Sequence, residues 1–165
     1  MIKAIFAIDS WGGMGYRGSL PWPHSKEDLQ HFKTLTSGQI VVMGRKTYDD
    51  PKMPKPLPGR TSYVITHRPI KGVLTINGDI NQRLKALESY YTNKTIWVIG
   101  GPEILLETKD LIKEAHVTHF KAQYKSDVQL DTRGFFSTFQ ARSAKPGPDW
   151  TLTWMVYKNI DIFTE

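Results

Sequence analysis

Ile2-Lys3-Ala4-Ile5-Phe6-Ala7-Ile8 is an almost continuous apolar run of strand length. Such a run reads as a strand buried on both faces of a parallel sheet, since a half-solvated strand would alternate with polar residues. The loop Asp9-Ser10-Trp11-Gly12-Gly13-Met14-Gly15-Tyr16-Arg17-Gly18-Ser19 follows, with four glycines and few apolar anchors. It reads as a connection able to move, as glycine-rich lids over ligands do. Beyond it the chain alternates helix and strand. A helix is predicted over 26–35 and a short strand over 39–43. Gly44-Arg45-Lys46-Thr47-Tyr48 then makes a sharp strand-to-helix turn. Further strands fall at 61–66, 73–76 and 95–99, with a helix over 80–91. A second glycine turn, Gly100-Gly101-Pro102, opens another helix.

Pro51-Lys52-Met53-Pro54-Lys55-Pro56-Leu57-Pro58-Gly59-Arg60 is neither helix nor central strand, because proline lacks the donor and fixes its own backbone angle. It is expected to form an extended wall. The tail changes texture: 115–124 and 150–157 alternate with period two, as antiparallel strands do. Ala144-Lys145-Pro146-Gly147-Pro148 reads as the hairpin connection before the last strand. The expected fold is α/β, a mainly parallel central sheet with flanking helices and an antiparallel C-terminal strand pair, in one domain spanning 1–165.

The chain has 165 residues, 39% hydrophobic and 23% charged, so it is globular and needs no metal or disulfide staple. It has no cysteine, which excludes disulfides, thiol nucleophiles and thiolate metal sites. The N-terminal run is too short for a signal peptide and no stretch is long enough to span a bilayer, so a soluble cytoplasmic protein is expected. The net charge is +6, from 22 basic and 16 acidic residues. The basic residues are scattered, with no long basic run, so the excess suits a small polyanion better than nucleic acid. The five histidines show no metal spacing; His24, His31, His116 and His119 read as surface or strand residues. Trp97, Trp150 and Trp154 read as packing residues within strands.

Leu20-Pro21-Trp22-Pro23 leads into Ser25-Lys26-Glu27-Asp28-Leu29-Gln30-His31-Phe32-Lys33. Ser25-x-x-Asp28 fits a helix-capping box. It equally fits an acid beside apolar side chains, where a carboxylate must find a cationic or hydrogen-bonding partner. An acid so placed grips the edge of a flat, protonatable heterocycle while Leu29 and Phe32 cover its face. Two strand–glycine–helix turns, Val41-Val42-Met43-Gly44-Arg45-Lys46-Thr47 and Trp97-Val98-Ile99-Gly100-Gly101, offer close backbone approach and helix amides to an anion. Ile65-Thr66-His67-Arg68 offers a perch for a 2′-phosphate. Each of these turns has a plain reading as a solvated turn.

Taken together in order and spacing, Ala7, the glycine loop to Gly15, Leu20-Pro21-Trp22, Asp28-Leu29-x-x-Phe32-Lys33, Met43-Gly44-Arg45-Lys46-Thr47, Leu57-Pro58-Gly59-Arg60, Val98-Ile99-Gly100-Gly101 and Thr118-His119 resemble dihydrofolate reductase along essentially the whole chain. The resemblance implies NADPH-dependent reduction of dihydrofolate to tetrahydrofolate, in one-carbon, thymidylate and nucleotide metabolism, by a monomer that is a target of antifolates. It makes Asp28 the ionisable group of the substrate pocket, supported by the Thr118 hydroxyl. It places Ile5, Ala7, Leu29, Phe32, Lys33, Leu57 and Ile99 around the substrate, and Arg60 on its glutamate α-carboxylate. Leu20 and Trp22 belong to the active-site lid. Ala7, Gly15, Leu20, Gly44, Arg45, Lys46, Thr47, Ile99, Gly100, Gly101, Glu103 and Ile104 fall along the cofactor, with Thr66, His67 and Arg68 at its 2′-phosphate. The Gly100–Gly101 peptide is cis in this family.

The chain departs from the family pattern at several positions. Glu103 stands where bacterial relatives often carry Arg, Pro102 replaces a third glycine, and Glu27 adds a carboxylate beside Asp28. Gly12-Gly13 replaces bulkier residues, which reads as a more mobile lid, and Met53 lies in a stretch of altered spacing. The alternatives are a related pterin or pyrimidine reductase, against which Arg60 argues, and a basic nucleic-acid-binding module, for which clustered charge is missing.

Overall fold

In the computed structural model, which describes residues 1–162, the N-terminal apolar run is strand β1 (Ile2–Ile8). A short strand β2 (Gly13–Gly15) lies within the glycine loop, and helix α1 (Lys26–Thr36) follows the Pro-Trp-Pro segment. Then come β3 (Ile40–Gly44), α2 (Arg45–Tyr48), β4 (Thr61–Ile65), β5 (Leu74–Ile76) and α3 (Ile80–Tyr90). They are followed by β6 (Ile96–Val98), α4 (Pro102–Thr108), β7 (Glu114–Phe120), β8 (Val128–Gln129) and α5 (Thr132–Phe136). The hairpin of β9 (Phe139–Pro146) and β10 (Leu152–Asn159) completes the main sheet.

That sheet has eight strands in the order β5-β4-β3-β6-β1-β7-β10-β9. From β5 to β7 the strands are parallel, whereas β10 runs antiparallel to both β7 and β9. Period-two alternation splits β1 between two cores. Ile2, Ala4, Phe6 and Ile8 pack with Leu84, Leu105 and Phe135 from α3, α4 and α5. Ile5 on the opposite face packs with Val41, Met43, Leu57, Val64 and Trp97 beneath Phe32 and Leu35 of α1. The expected α/β sheet and its flanking helices are therefore present.

The C-terminal pair differs from expectation. Residues 114–120 form a mixed strand, parallel to β1 on one side and antiparallel to β10 on the other. The hairpin partner of β10 is β9, so Ala144, Lys145 and Pro146 are strand residues and the turn comes later. β9 is an edge strand exposed along nearly its whole length, so no buried face imposes an alternating pattern. Arg142, Lys145 and Pro146 along it are the residues that discourage further strand pairing at an edge. Trp150 is not in a strand: it is exposed, at φ 64°, in the β9–β10 turn.

The loop after β1 is more tightly built than its glycines imply. The buried Asp9 carboxylate accepts the backbone N–H groups of Trp11 at 2.9 Å, Gly13 at 2.8 Å and Tyr124 at 3.0 Å. β2 pairs with β8, and Met14 packs against the core. A Cβ on Gly13 would lie 2.8 Å from Asp9 Oδ2 and 2.9 Å from Ser126 Oγ, so this glycine serves close approach and not mobility. Asp9→Ala strips three N–H groups of their acceptor and is expected to destabilise the protein by about 2 kcal/mol. Urea unfolding would measure the loss, with faster amide exchange at Trp11 and Gly13 as its local sign.

Candidate active site

Helix α1 begins at its cap. Ser25 Oγ accepts the Asp28 backbone N–H at 3.2 Å, satisfying one of the helix's free amides. The Asp28 side chain takes no part in that cap. It turns toward the sheet, where Oδ1 accepts the Thr118 hydroxyl at 2.7 Å and the Trp154 indole N–H at 3.1 Å. The serine half of the capping box is thus present without its reciprocal acid, whose carboxylate instead finds hydrogen-bonding partners across the sheet. Glu27, about 100° around the helix, is exposed. Thr118 and Trp154 are register partners across β7 and β10, so they share a face, and Ala7 of β1 partners Thr118 on the other side.

Two apolar clusters line this face of the sheet. Ile5 and Leu57 are buried in one, with Phe32 and Ile99 partly buried against it, and Ala7 and Trp154 are partly buried against the other. Leu29 is 47% exposed and Lys33 is exposed, so both sit at the rim. Met53 packs in the same apolar cluster as Leu57. Trp22 is buried and stacks on Phe120 at 4.3 Å between ring centroids. Leu20 is 49% exposed. Nearby, Ser19 Oγ donates to Asp50 Oδ2 at 3.4 Å, linking the lid to the segment after α2.

Arg60 lies over the Phe32 ring at 5.7 Å. Its Nε donates to the Pro58 carbonyl at 3.0 Å and its Nη1 to Thr36 Oγ1 at 3.1 Å. Two of its five N–H groups are thereby used to fix the fork, and the others remain for a carboxylate. Burial lowers its pKa from the ordinary arginine value. Thr36 is the support that the sequence did not single out.

At the opposite end of the sheet edge, β3 and β6 run into glycines. Gly44 N–H donates to the Gly100 carbonyl at 2.7 Å, and the Gly100–Gly101 peptide is cis. A Cβ on Gly44 would meet Ile104 Cγ1 at 3.3 Å, whereas none of the neighbouring atoms comes within 4 Å of one on Gly101. Space therefore opens on the Gly101 side, while a Cβ on Gly100 would lie 3.7 Å from Thr47 Oγ1. Arg45 Nε is paired with Asp49 at 3.1 Å, and Lys46 and Glu103 are exposed. The Thr66 hydroxyl bonds the Arg68 backbone at 3.2 Å, leaving the exposed Arg68 guanidinium as the cationic group there, with the His67 side chain exposed beside it. Gly15 lies in β2, within contact distance of Val128 and so part of the lid base. Among the described residues no cluster of His, Asp or Glu has the arrangement of a metal site.

Titratable groups continue along the face beneath α1. His31 stacks on Trp154 with centroids 4.8 Å apart and planes 20° apart. Burial holds the His31 pKa below the ordinary imidazole value; Asp28 opposes this, and His116 and Lys145 reinforce it. Burial likewise lowers His116, against the pull of Glu114 at 3.0 Å. Burial also pushes Glu114 upward, but hydrogen bonds from His116 and Lys3 outweigh it and hold the carboxyl below its usual range. Trp154 and His31 were read from sequence as packing and surface residues. The available signal was that a tryptophan in a strand, once buried, needs a partner for its N–H.

Residues 1–157 match the family model described as dihydrofolate reductase. A bifunctional dihydrofolate reductase-thymidylate synthase of Paramecium tetraurelia is 39% identical over 141 residues, covering 82% of this chain and 29% of that protein, so the match spans less than a third of its length. Dihydrofolate reductase type 8 of Escherichia coli is 34% identical over 137 residues, covering 79% of this chain and 80% of that one. Among solved structures, dihydrofolate reductase from Enterococcus faecalis complexed with NADP(H) and RAB-propyl superposes with a TM-score of 0.79 at 25% identity, over 96% of each chain.

The buried imidazoles set a pH dependence. His31, His116 and His119 are all held below the ordinary 6.5 by burial, so on acidification the unfolded chain binds protons before the folded one. Stability is fully present above pH 6.5 and is lost as pH falls from there through the folded values. Urea midpoints are expected to drop between pH 7 and pH 5, and His119→Gln, which removes one such titration, should make that drop shallower.

Proposed function

The chain belongs to the dihydrofolate reductase family, and from that premise we propose how its own residues divide the work of the reaction. It is an NADPH-dependent oxidoreductase that reduces 7,8-dihydrofolate to 5,6,7,8-tetrahydrofolate. The observation that carries the assignment of roles is the Asp28 carboxylate, held by Thr118 at 2.7 Å within an apolar wall. Asp28 accepts the pterin's 2-amino and N3 hydrogens. That favours protonation at N5 on the far side of the ring. The carboxylate itself does not reach N5, so water delivers that proton.

Ile5, Ala7 and Ile99 lie against the ring system, and Leu29, Phe32 and Leu57 hold the benzoyl group, with Lys33 at the rim. Arg60, with its guanidinium already oriented by Pro58 and Thr36, clamps the glutamate α-carboxylate. Leu20 and Trp22 close over the reacting rings and exclude water. NADPH, when bound, supplies the hydride that enters pterin C6. Gly44, Arg45, Lys46, Thr47, Gly100 and Gly101, beside Glu103 and Ile104, would hold its diphosphate, with Ala7, Gly15 and Leu20 toward the nicotinamide. Thr66, His67 and Arg68 meet the 2′-phosphate. We read 1–165 as one domain that acts as a monomer in the cytoplasm; among the described residues no helix is long and apolar enough to cross a membrane.

Asp28→Asn is expected to lower dihydrofolate-dependent NADPH oxidation at neutral pH by about a hundredfold or more, with NADPH affinity retained. Full activity in that variant would sink the assignment. Arg60→Leu should raise the KM for dihydrofolate by roughly 10- to 100-fold while leaving the KM for NADPH in place; steady-state kinetics with each ligand varied in turn separates the two.

A further inference from the structure

An aspartate carboxylate rotates almost freely about its last bond, because that torsion is broad and roughly two-fold. A bidentate grip on the edge of a heterocycle needs the carboxylate plane fixed. One hydroxyl donor cannot fix it, since the group can pivot about that single hydrogen bond. In this chain two donors converge on the same oxygen: the Thr118 hydroxyl at 2.7 Å and the Trp154 indole N–H at 3.1 Å. Among the described residues no donor reaches Asp28 Oδ2. Trp154 is itself held in place. His31, one turn beyond Asp28 on α1, lies nearly flat on its ring at 4.8 Å, and the indole packs against the apolar cluster of Trp22, Phe120 and Leu152.

We propose that Trp154 is a positioning residue for the substrate-holding carboxylate: its N–H fixes Oδ1 and with it the carboxylate plane, while His31 fixes the plane of the indole. The proposal rests on the reading that Asp28 holds the pterin edge. It gives the strand β10 a part in substrate selection, although none of its side chains is required to touch the substrate. It also gives the His31 ring a role at the site without any proton transfer by the imidazole. A purely packing role for Trp154 would need the ring but not the N–H, and that difference can be measured.

Trp154→Phe keeps a flat ring under His31 and removes the donor. The expected result is a rise of about tenfold in the KM for dihydrofolate, with the KM for NADPH and the thermal midpoint unchanged. The indole N–H resonance of Trp154, assigned through its own ring protons, is expected to move in Asp28→Leu. An unchanged dihydrofolate KM overturns the proposal. So does a joint change of both KM values and the thermal midpoint, which is the signature of packing alone. Should Trp154→Phe fail to fold, the resonance decides: an indole signal indifferent to Asp28→Leu means the hydrogen bond is not made. Asp28→Asn run in parallel separates the two levels, since full activity there removes the premise itself, and with it this proposal, whatever the indole reports.

Discussion

A row of three side chains, Ala7, Thr118 and Trp154, crosses β1, β7 and β10 on the face beneath α1, and the position of the Asp28 carboxylate depends on it. A partly buried carboxylate has lost much of its water and must be met by donors. Its donors stand 90 and 126 residues away along the chain. They come together because β1 is buried on both faces and can therefore accept parallel neighbours on either side, with β10 then closing antiparallel onto β7. The register of three strands is thus a condition of the site's geometry. A slip of one residue in β10 would turn Trp154 to the opposite face and replace it with Thr153 or Met155.

The parts of this arrangement that were legible in the sequence are those written in local patterns. The apolar run of β1, the cap at Ser25 and the glycine ends of β3 and β6 each carry their own physical signature. The placement of Asp28 against Thr118 followed from family resemblance and not from any local signal, because nothing in residues 25–33 announces a partner on β7. β9 was hidden for a different reason. Exposed on nearly every residue, it is specified by backbone pairing with β10 and by nothing in its side-chain period. Trp154 was hidden because an alternating strand predicts burial of the ring but is silent about where the N–H points.

The loop between β1 and α1 illustrates how composition misleads about mobility. Glycine frees an isolated backbone, yet Gly13 is where the chain passes closest to the Asp9 carboxylate, and a side chain there would displace it. The base of the loop is fixed by that carboxylate and by the β2–β8 ladder. Nearer its tip, the tight Tyr16–Ser19 turn, where Arg17 adopts φ 50°, is also tied by the Arg17 backbone N–H to Asp127 Oδ2 at 3.0 Å and by the Ser19 hydroxyl to Asp50 Oδ2 at 3.4 Å.

Charge is distributed to match. The +6 balance does not form a nucleic-acid stripe. Arg45, Lys46 and Arg68 stand just past the carboxyl ends of β3 and β4, on the side proposed for the cofactor phosphates, and Arg60 stands just before the amino end of β4, beside Thr36. Arg45 is paired with Asp49 across one helical turn, both residues exposed. An exposed pair of this kind contributes little, on the order of 0.3–0.5 kcal/mol, because water screens it. A diphosphate offers the guanidinium stronger, charge-assisted and more directional bonds. The Arg45–Asp49 pair therefore orders the guanidinium at small cost, and an anion bound there would have to displace the Asp49 carboxylate, whereas among the described residues Arg60 is held by a carbonyl and a hydroxyl that carry no charge, with no competing acid.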